Sequence, residues 1–385
     1  MRSVRTGRGG RAVTAIAVFG VLIAASASPA AAETIRSRQW HLDAMHADEI
    51  WETSKGTGIT VAVVDTGVDA GLPDLEGQVL EGKNFSVDKG DARTDTDGHG
   101  TGMAALIAGT GKRGSESGAY GLAPGAKILP VRVGGNNFRD DSLAMAKALH
   151  YAADSDARII NISRGSPGRS TEEEEAIAYA LGKGKLIFAA VGNTGDKSNA
   201  VEYPAAYPGV LGVAAVDQNG TAASWSQHGP QVALAAPGVG MVAACPGGSG
   251  VCRSGGTSDA SAIASASAAL LWSVHPTWTA NQITRVLINT AGGPENGKKR
   301  TDLIGYGAVR PRIALKDPGD PGPADVSPLP GPESKSAAGK VQKQAAAAKG
   351  DDGPNTTWIA WGIGAAVLLG AAVTVPILIA RRRGI

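Results

Sequence analysis

Ile59-Thr60-Val61-Ala62-Val63-Val64-Asp65-Thr66-Gly67 decides the fold. The run is β-branched and apolar without alternation, and it ends in a carboxylate followed by a turn-forming pair. A strand that is apolar at consecutive positions is buried on both faces, as in a parallel sheet covered by helices. Similar runs occupy residues 127–133, 158–163, 185–191, 210–216 and 232–235. Helix-like patterns lie between or after them, at 100–108, 142–153, 171–181, 258–273 and 281–289. The expected fold is α/β, a doubly wound, mainly parallel sheet with helices on both faces, within a domain at 33–315. Sites in such sheets form outside the carboxyl ends of the strands, which is where Asp65 falls.

Gly256-Thr257-Ser258-Asp259-Ala260-Ser261 sets a serine before a long run of small, apolar residues that reads as a buried helix. A serine hydroxyl is a poor nucleophile until a base takes its proton and a third group orients that base. Ser258 alone reads as an N-cap. Asp97-Gly98-His99-Gly100-Thr101 supplies the base: of the histidines, only His99 is bracketed by glycines at a helix start. No second His or Cys stands at zinc-ligand spacing from it, so no metal or other cofactor is expected. Asp65 would accept from the second ring nitrogen of His99 and fix its tautomer, the alternative being an Asx-turn with Thr66-Gly67. The order Asp…His…Ser separates this chain from chymotrypsin-like enzymes and from α/β-hydrolases.

With those blocks in hand, the chain resembles the subtilisin-like serine proteases. Val63-Val64-Asp65-Thr66-Gly67, Gly98-His99-Gly100-Thr101 and Gly256-Thr257-Ser258 are similar to that family's signature blocks. Ala189-Ala190-Val191-Gly192-Asn193-Thr194-Gly195 resembles the segment carrying the family's oxyanion-hole asparagine. The resemblance therefore implies that Asn193 donates to the oxyanion; on sequence alone it reads equally as a left-handed turn residue. Ile160-Asn161-Ile162-Ser163-Arg164-Gly165 resembles the strand edge that pairs with substrate, which implies a substrate-binding role for Ser163 and Gly165. Two positions depart from the family. Gly102 stands where a second histidine is common, and Ala262 where a proline is usual, while Asp259 adds a carboxylate beside the nucleophile.

The formal net charge of +2 over 385 residues gives no case for nucleic-acid binding. Arginines at 2, 5, 8 and 11 precede an apolar run at 12–25 and an Ala-rich exit, the pattern of a signal peptide at 1–32. Residues 316–356 are rich in Pro, Gly, Ala and Lys and read as a linker. Residues 357–380 are uncharged and long enough to span a bilayer, and the basic tail at 381–385 would stay in the cytoplasm. Export makes a disulfide between Cys245 and Cys252 the expectation. Residues 172–175, all glutamate, read as a solvated helix start.

Signal peptide, subtilisin-like domain, stalk and single anchor together resemble the mycosins, the membrane-anchored proteases of type VII secretion. That resemblance implies an extracytoplasmic serine endopeptidase at the cell membrane, with protein or peptide substrates and type VII membrane components as partners. The competing reading is a structural component of a membrane secretion complex with proteolysis secondary. An esterase fits less well, because the serine motif lacks the last glycine of G-x-S-x-G. Cleavage after Ala32 would leave six residues, 33–38, before the segment that resembles the mature domain, too few to fold as an inhibitor. The expectation is that signal removal alone yields the competent enzyme.

Overall fold

Among the described residues, seven strands form one sheet whose neighbours all run parallel, in the order β2-β3-β1-β4-β5-β6-β7. They are β1 (Thr60–Asp65), β2 (Lys83–Asn84), β3 (Lys127–Arg132), β4 (Ile159–Ile162), β5 (Leu186–Ala190), β6 (Leu211–Val216) and β7 (Val232–Pro237). An antiparallel hairpin, β8 (Met241–Ala244) and β9 (Val251–Ser254), stands apart from the sheet. The computed structural model describes residues 1, 33–114, 116–134, 138–247, 250–294 and 299–329, all within one compact unit, Met1–Pro332. The expected membrane span at 357–380, its tail and the signal segment from residue 2 to 32 lie outside these. Among the described residues no helix is long and apolar enough to cross a membrane.

The helices are α1 (Ile35–Arg38), α2 (Trp40–Ala44), α3 (Ala47–Thr53), α4 (His99–Ala108), α5 (Phe138–Asp154), α6 (Thr171–Gly182), α7 (Thr257–Val274), α8 (Ala280–Thr290) and α9 (Pro311–Lys316). Strand alternation sorts the core into two layers. Val61, Val63, Ile159, Phe188 and Val213 face α4 and α7 on one side. Ala62, Val64, Ile160, Ile187 and Ala214 face α5 and α6 on the other. Both faces are therefore covered, and this is why the strands carry no polar alternation.

Helix α7 is buried from Thr257 to Trp272. Alanine favours the helix, and its small side chains let the axis approach the sheet closely. Asn161 of β4 and Ser163, just past its end, pin it there. The Asn161 side chain accepts from Ser261 and Ser265, and Ser163 Oγ donates to the Ser258 carbonyl at 3.1 Å.

Three features differ from the sequence reading. Glu173, expected to be solvated with its neighbours, is 4 % exposed, and burial pushes its pKa up to about 7. Residues 317–329, which composition assigns to the linker, lie along α8: Arg285 donates to the carbonyls of Pro321, Pro323 and Val326. Asparagine, glutamine and threonine side chains of α8 and its cap donate to Gly322 and Ala324. Helices α1–α3 and α9 and the hairpin were not expected, since each is too short to show a period.

Strand β1 sits at the centre, with β3 on one side and β4 on the other. The chain leaves these neighbours in opposite directions, which opens a crevice outside the carboxyl end of β1. Asp65 is the last residue of that strand.

Candidate active site

Asp65 is fully buried, and its Oδ1 lies 2.7 Å from His99 Nδ1. The same oxygen accepts from the Thr66 N–H at 2.8 Å, while Oδ2 is buried with no partner among the described residues. Helix α4 begins at His99 and abuts the end of β1. A Cβ at Gly100 would run into the Gly67 carbonyl oxygen and stand 3.0 Å from Asp65 Cβ, so a side chain there would push His99 away. Gly67 itself has φ +108°, a conformation that suits glycine.

Asp95 ties the two loops together, a role that its turn-like sequence setting hides. Its Oδ1 accepts from the Thr66 hydroxyl and the Gly98 N–H, and its Oδ2 from the Thr101 N–H and hydroxyl. Gly98, the N-cap of α4, has no side chain, and Asp95 satisfies the orphan donors in its place. The signal was present: Asp95 precedes Thr101 by six residues in a loop otherwise made of turn formers.

Ser258 is the second residue of α7, so it is not the N-cap; Gly256 holds that position. Its hydroxyl donates to the Ser163 carbonyl at 3.0 Å rather than to His99. Ser163 is thus occupied at both its carbonyl and its side chain by the first turn of α7, and Asn161 donates to its hydroxyl at 3.0 Å. Gly165, two residues further on, is exposed and makes no backbone hydrogen bond among the described residues. A Cβ there would stand 3.0 Å from Glu202 Oε2.

Asn193 is oriented by Thr257. The Gly192 N–H donates to Thr257 Oγ1 at 3.1 Å, so that hydroxyl gives its own proton to Asn193 Oδ1 at 3.0 Å. The Thr257 N–H donates to the same oxygen at 2.9 Å. Two donors on Oδ1 fix the amide, leaving Nδ2 free of partners among the described residues and on the exposed side. Ser258, His99 and Asn193 line one cavity of about 450 Å³.

The far wall of that cavity is the β8–β9 hairpin, closed by a disulfide between Cys245 and Cys252 with Cα atoms 5.8 Å apart. Asp259 also lines it. Burial pushes the Asp259 carboxyl up to about 6, although the Ser254 hydroxyl donates to it. Burial disfavours the His99 imidazolium, but the hydrogen bond and charge of Asp65, with Asp259 and Asp97 adding, raise its pKa above the usual histidine value. Among the described residues, no group of three or more His, Cys, Asp or Glu is placed to hold a metal ion.

Known proteins similar to this chain place it in a family. Residues 56–308 match the family model described as the subtilase family. Fervidolysin from Fervidobacterium pennivorans is 35 % identical over 318 residues, covering 74 % of this chain and 45 % of that protein. Subtilisin BL from Lederbergia lenta is 36 % identical over 261 residues, covering 68 % of this chain and 92 % of that protein. The crystal structure of MycP1 from the ESX-1 type VII secretion system superimposes with a TM-score of 0.64 at 30 % identity, covering 76 % of this chain and 89 % of that one. The chain thus spans under half of fervidolysin and nearly all of subtilisin BL. On the matched family model and these relatives, the chain belongs to the subtilase family of subtilisin-like serine proteases.

Proposed function

We propose that the chain is a serine endopeptidase that cleaves peptide bonds through an acyl-enzyme. The observation that carries this reading is the 2.7 Å contact between buried Asp65 and His99 at the mouth of the cavity that Ser258 and Asn193 share. Asp65 accepts from Nδ1, so the neutral imidazole keeps its lone pair on Nε2 for the Ser258 proton. The Ser258 hydroxyl turns from the Ser163 carbonyl to Nε2 as substrate arrives; such bonds often form only in the Michaelis complex.

Attack places negative charge on the carbonyl oxygen. The Asn193 amide, already pointed into the cavity, and the N–H groups at the start of α7 receive it. Protonated His99 then hands its proton to the leaving amine, and water repeats the sequence on the acyl group. The exposed backbone of Gly165 pairs with the peptide strand, while Ser163 holds the serine in register.

The similarity to MycP1 supports a role beside type VII secretion components. The sequence supports placement of the catalytic domain, 33–315, outside the cell membrane, with an N-terminal signal at 1–32 and an anchor at 357–380 behind a linker at 316–356. Comparing the exported proteins of the wild type with those of a strain carrying Ser258→Ala tests the reading. Substrates that accumulate uncleaved in the mutant support it; identical cleavage patterns overturn it.

A further inference from the structure

The cavity beside Ser258 is lopsided in charge. Apart from His99, its ionisable walls are Asp95, Asp97 and Asp259, with no lysine or arginine among the described lining residues. Cys252 and Ser254 of β9 line it, so Arg253 between them points to the other face of the hairpin.

The three carboxylates are not equivalent. Both oxygens of Asp95 are spent on Thr66, Gly98 and Thr101. Asp97 is exposed and accepts from the His99 N–H at 3.2 Å. Asp259 is 2 % exposed and accepts from the Ser254 hydroxyl through Oδ1. A Cβ built on Gly256 would stand 3.5 Å from Asp259 Oδ2 and 3.5 Å from Asn193 Nδ2, so Oδ2 borders the place where the reacting carbonyl sits. A buried carboxylate facing a cavity gains from a cation that offsets its desolvation.

The chemistry of cleavage orients the cavity. His99 must protonate the leaving amine, so the residue after the scissile bond lies along the wall from His99 to Asp259 and the hairpin. The acyl side runs the other way, toward Ser163 and Gly165; Gly165 borders a separate hollow with Glu173 and Tyr203.

We propose that Asp259 is a specificity-determining residue that holds a cationic side chain, lysine or arginine, on the residue directly after the scissile bond. This rests on the serine-endopeptidase reading above. The cavity's 450 Å³ accommodates a long aliphatic stem, for which Met103, Ala243 and Pro246 provide apolar walls. The ammonium or guanidinium head reaches Oδ2, and Asp97 adds attraction at the rim. Above about pH 6 the Asp259 carboxyl carries the charge that this contact needs.

The test uses the full chain and quenched peptides of one sequence that differ only in the first leaving-side residue: lysine, alanine or glutamate. A second series varies the residue before the bond in the same way. For the wild type, kcat/KM should follow lysine, alanine, glutamate, with lysine over glutamate by about tenfold to a hundredfold, the worth of one charged hydrogen bond. Asp259→Asn should bring that ratio close to one, while the ratio in the second series stays as in the wild type. Asp97→Asn should keep most of the lysine preference.

Equal wild-type rates across the first series overturn the assignment, and this arm needs no variant to fold. So does a lysine preference that survives in Asp259→Asn, or a uniform loss over all peptides with the ratio unchanged. If the wild type cleaves no peptide and takes no fluorophosphonate, the serine-endopeptidase reading fails with it; equal cleavage overturns Asp259 alone.

Discussion

Thr257 and Asn193 show how single side chains set the chemistry. Because Gly192 donates to the Thr257 hydroxyl, that hydroxyl can only donate onward, and the Asn193 amide is locked with its nitrogen toward the cavity. Asn193→Ala should lower kcat about a hundredfold to a thousandfold with little change in KM, the usual loss of one oxyanion donor. A raised KM with kcat unchanged would mean that Asn193 binds ground state and transition state alike. Ser258→Ala and His99→Ala should each lower peptide hydrolysis about a million-fold, as expected when the residues act as a unit.

The pH profile follows from the same neighbours. In the proposed mechanism only neutral His99 can accept from Ser258, and against the opposing effect of burial its pKa is raised above 6.5 by Asp65, Asp259 and Asp97. The acid limb of kcat/KM should therefore lie above pH 6.5, with activity rising as His99 loses its proton. Asp259→Asn removes one raising carboxylate, so the limb should move to lower pH. An unmoved limb would show that Asp259 does not act on the imidazole.

At the level of elements, the site is a junction of helix starts with strand ends. Asp95 serves α4 as a detached cap, accepting from Gly98 and Thr101. Asp95→Ala should cost about 1–2 kcal/mol of stability, read by thermal unfolding, and a larger share of activity, because His99 opens that helix. The hairpin is held by a disulfide between residues 7 apart in sequence, a loop worth about 2–3 kcal/mol in the chain-entropy account. Cys245→Ser with Cys252→Ser should lower the unfolding free energy by about that amount and raise KM, since the hairpin walls the cavity. An unchanged KM would separate the hairpin from substrate binding.

Over the whole molecule, legibility followed burial. The central strands were readable because both faces are covered, which removes polar alternation and leaves continuous apolar runs such as Val61–Val64. The motifs that carry Asp65, His99, Ser258 and Asn193, the proposed catalytic residues, stand out in the sequence because each sits beside glycines. Thr257 and Asn161 were not, because their work lies in hydrogen bonds across long sequence separations; Asp95 was hidden by its turn-forming neighbours, although Thr101 lies only six residues on. The docked segment at 317–329 was missed for a different reason. Its Pro-Gly composition signals extended chain, but Arg285 and its neighbours bind the backbone carbonyls and need no apolar period. Arg285→Ala should make 317–329 more sensitive to limited proteolysis while the melting temperature of the domain changes little; protection equal to that of the wild type would refute the tether.

The nucleophile is the point on which the rest depends. Treating the full chain with a fluorophosphonate and locating the adduct by mass spectrometry addresses it directly. The predicted result is an adduct on Ser258 that disappears in Ser258→Ala and is suppressed in His99→Ala. An adduct on another residue, or labelling that persists in Ser258→Ala, would contradict the assignment.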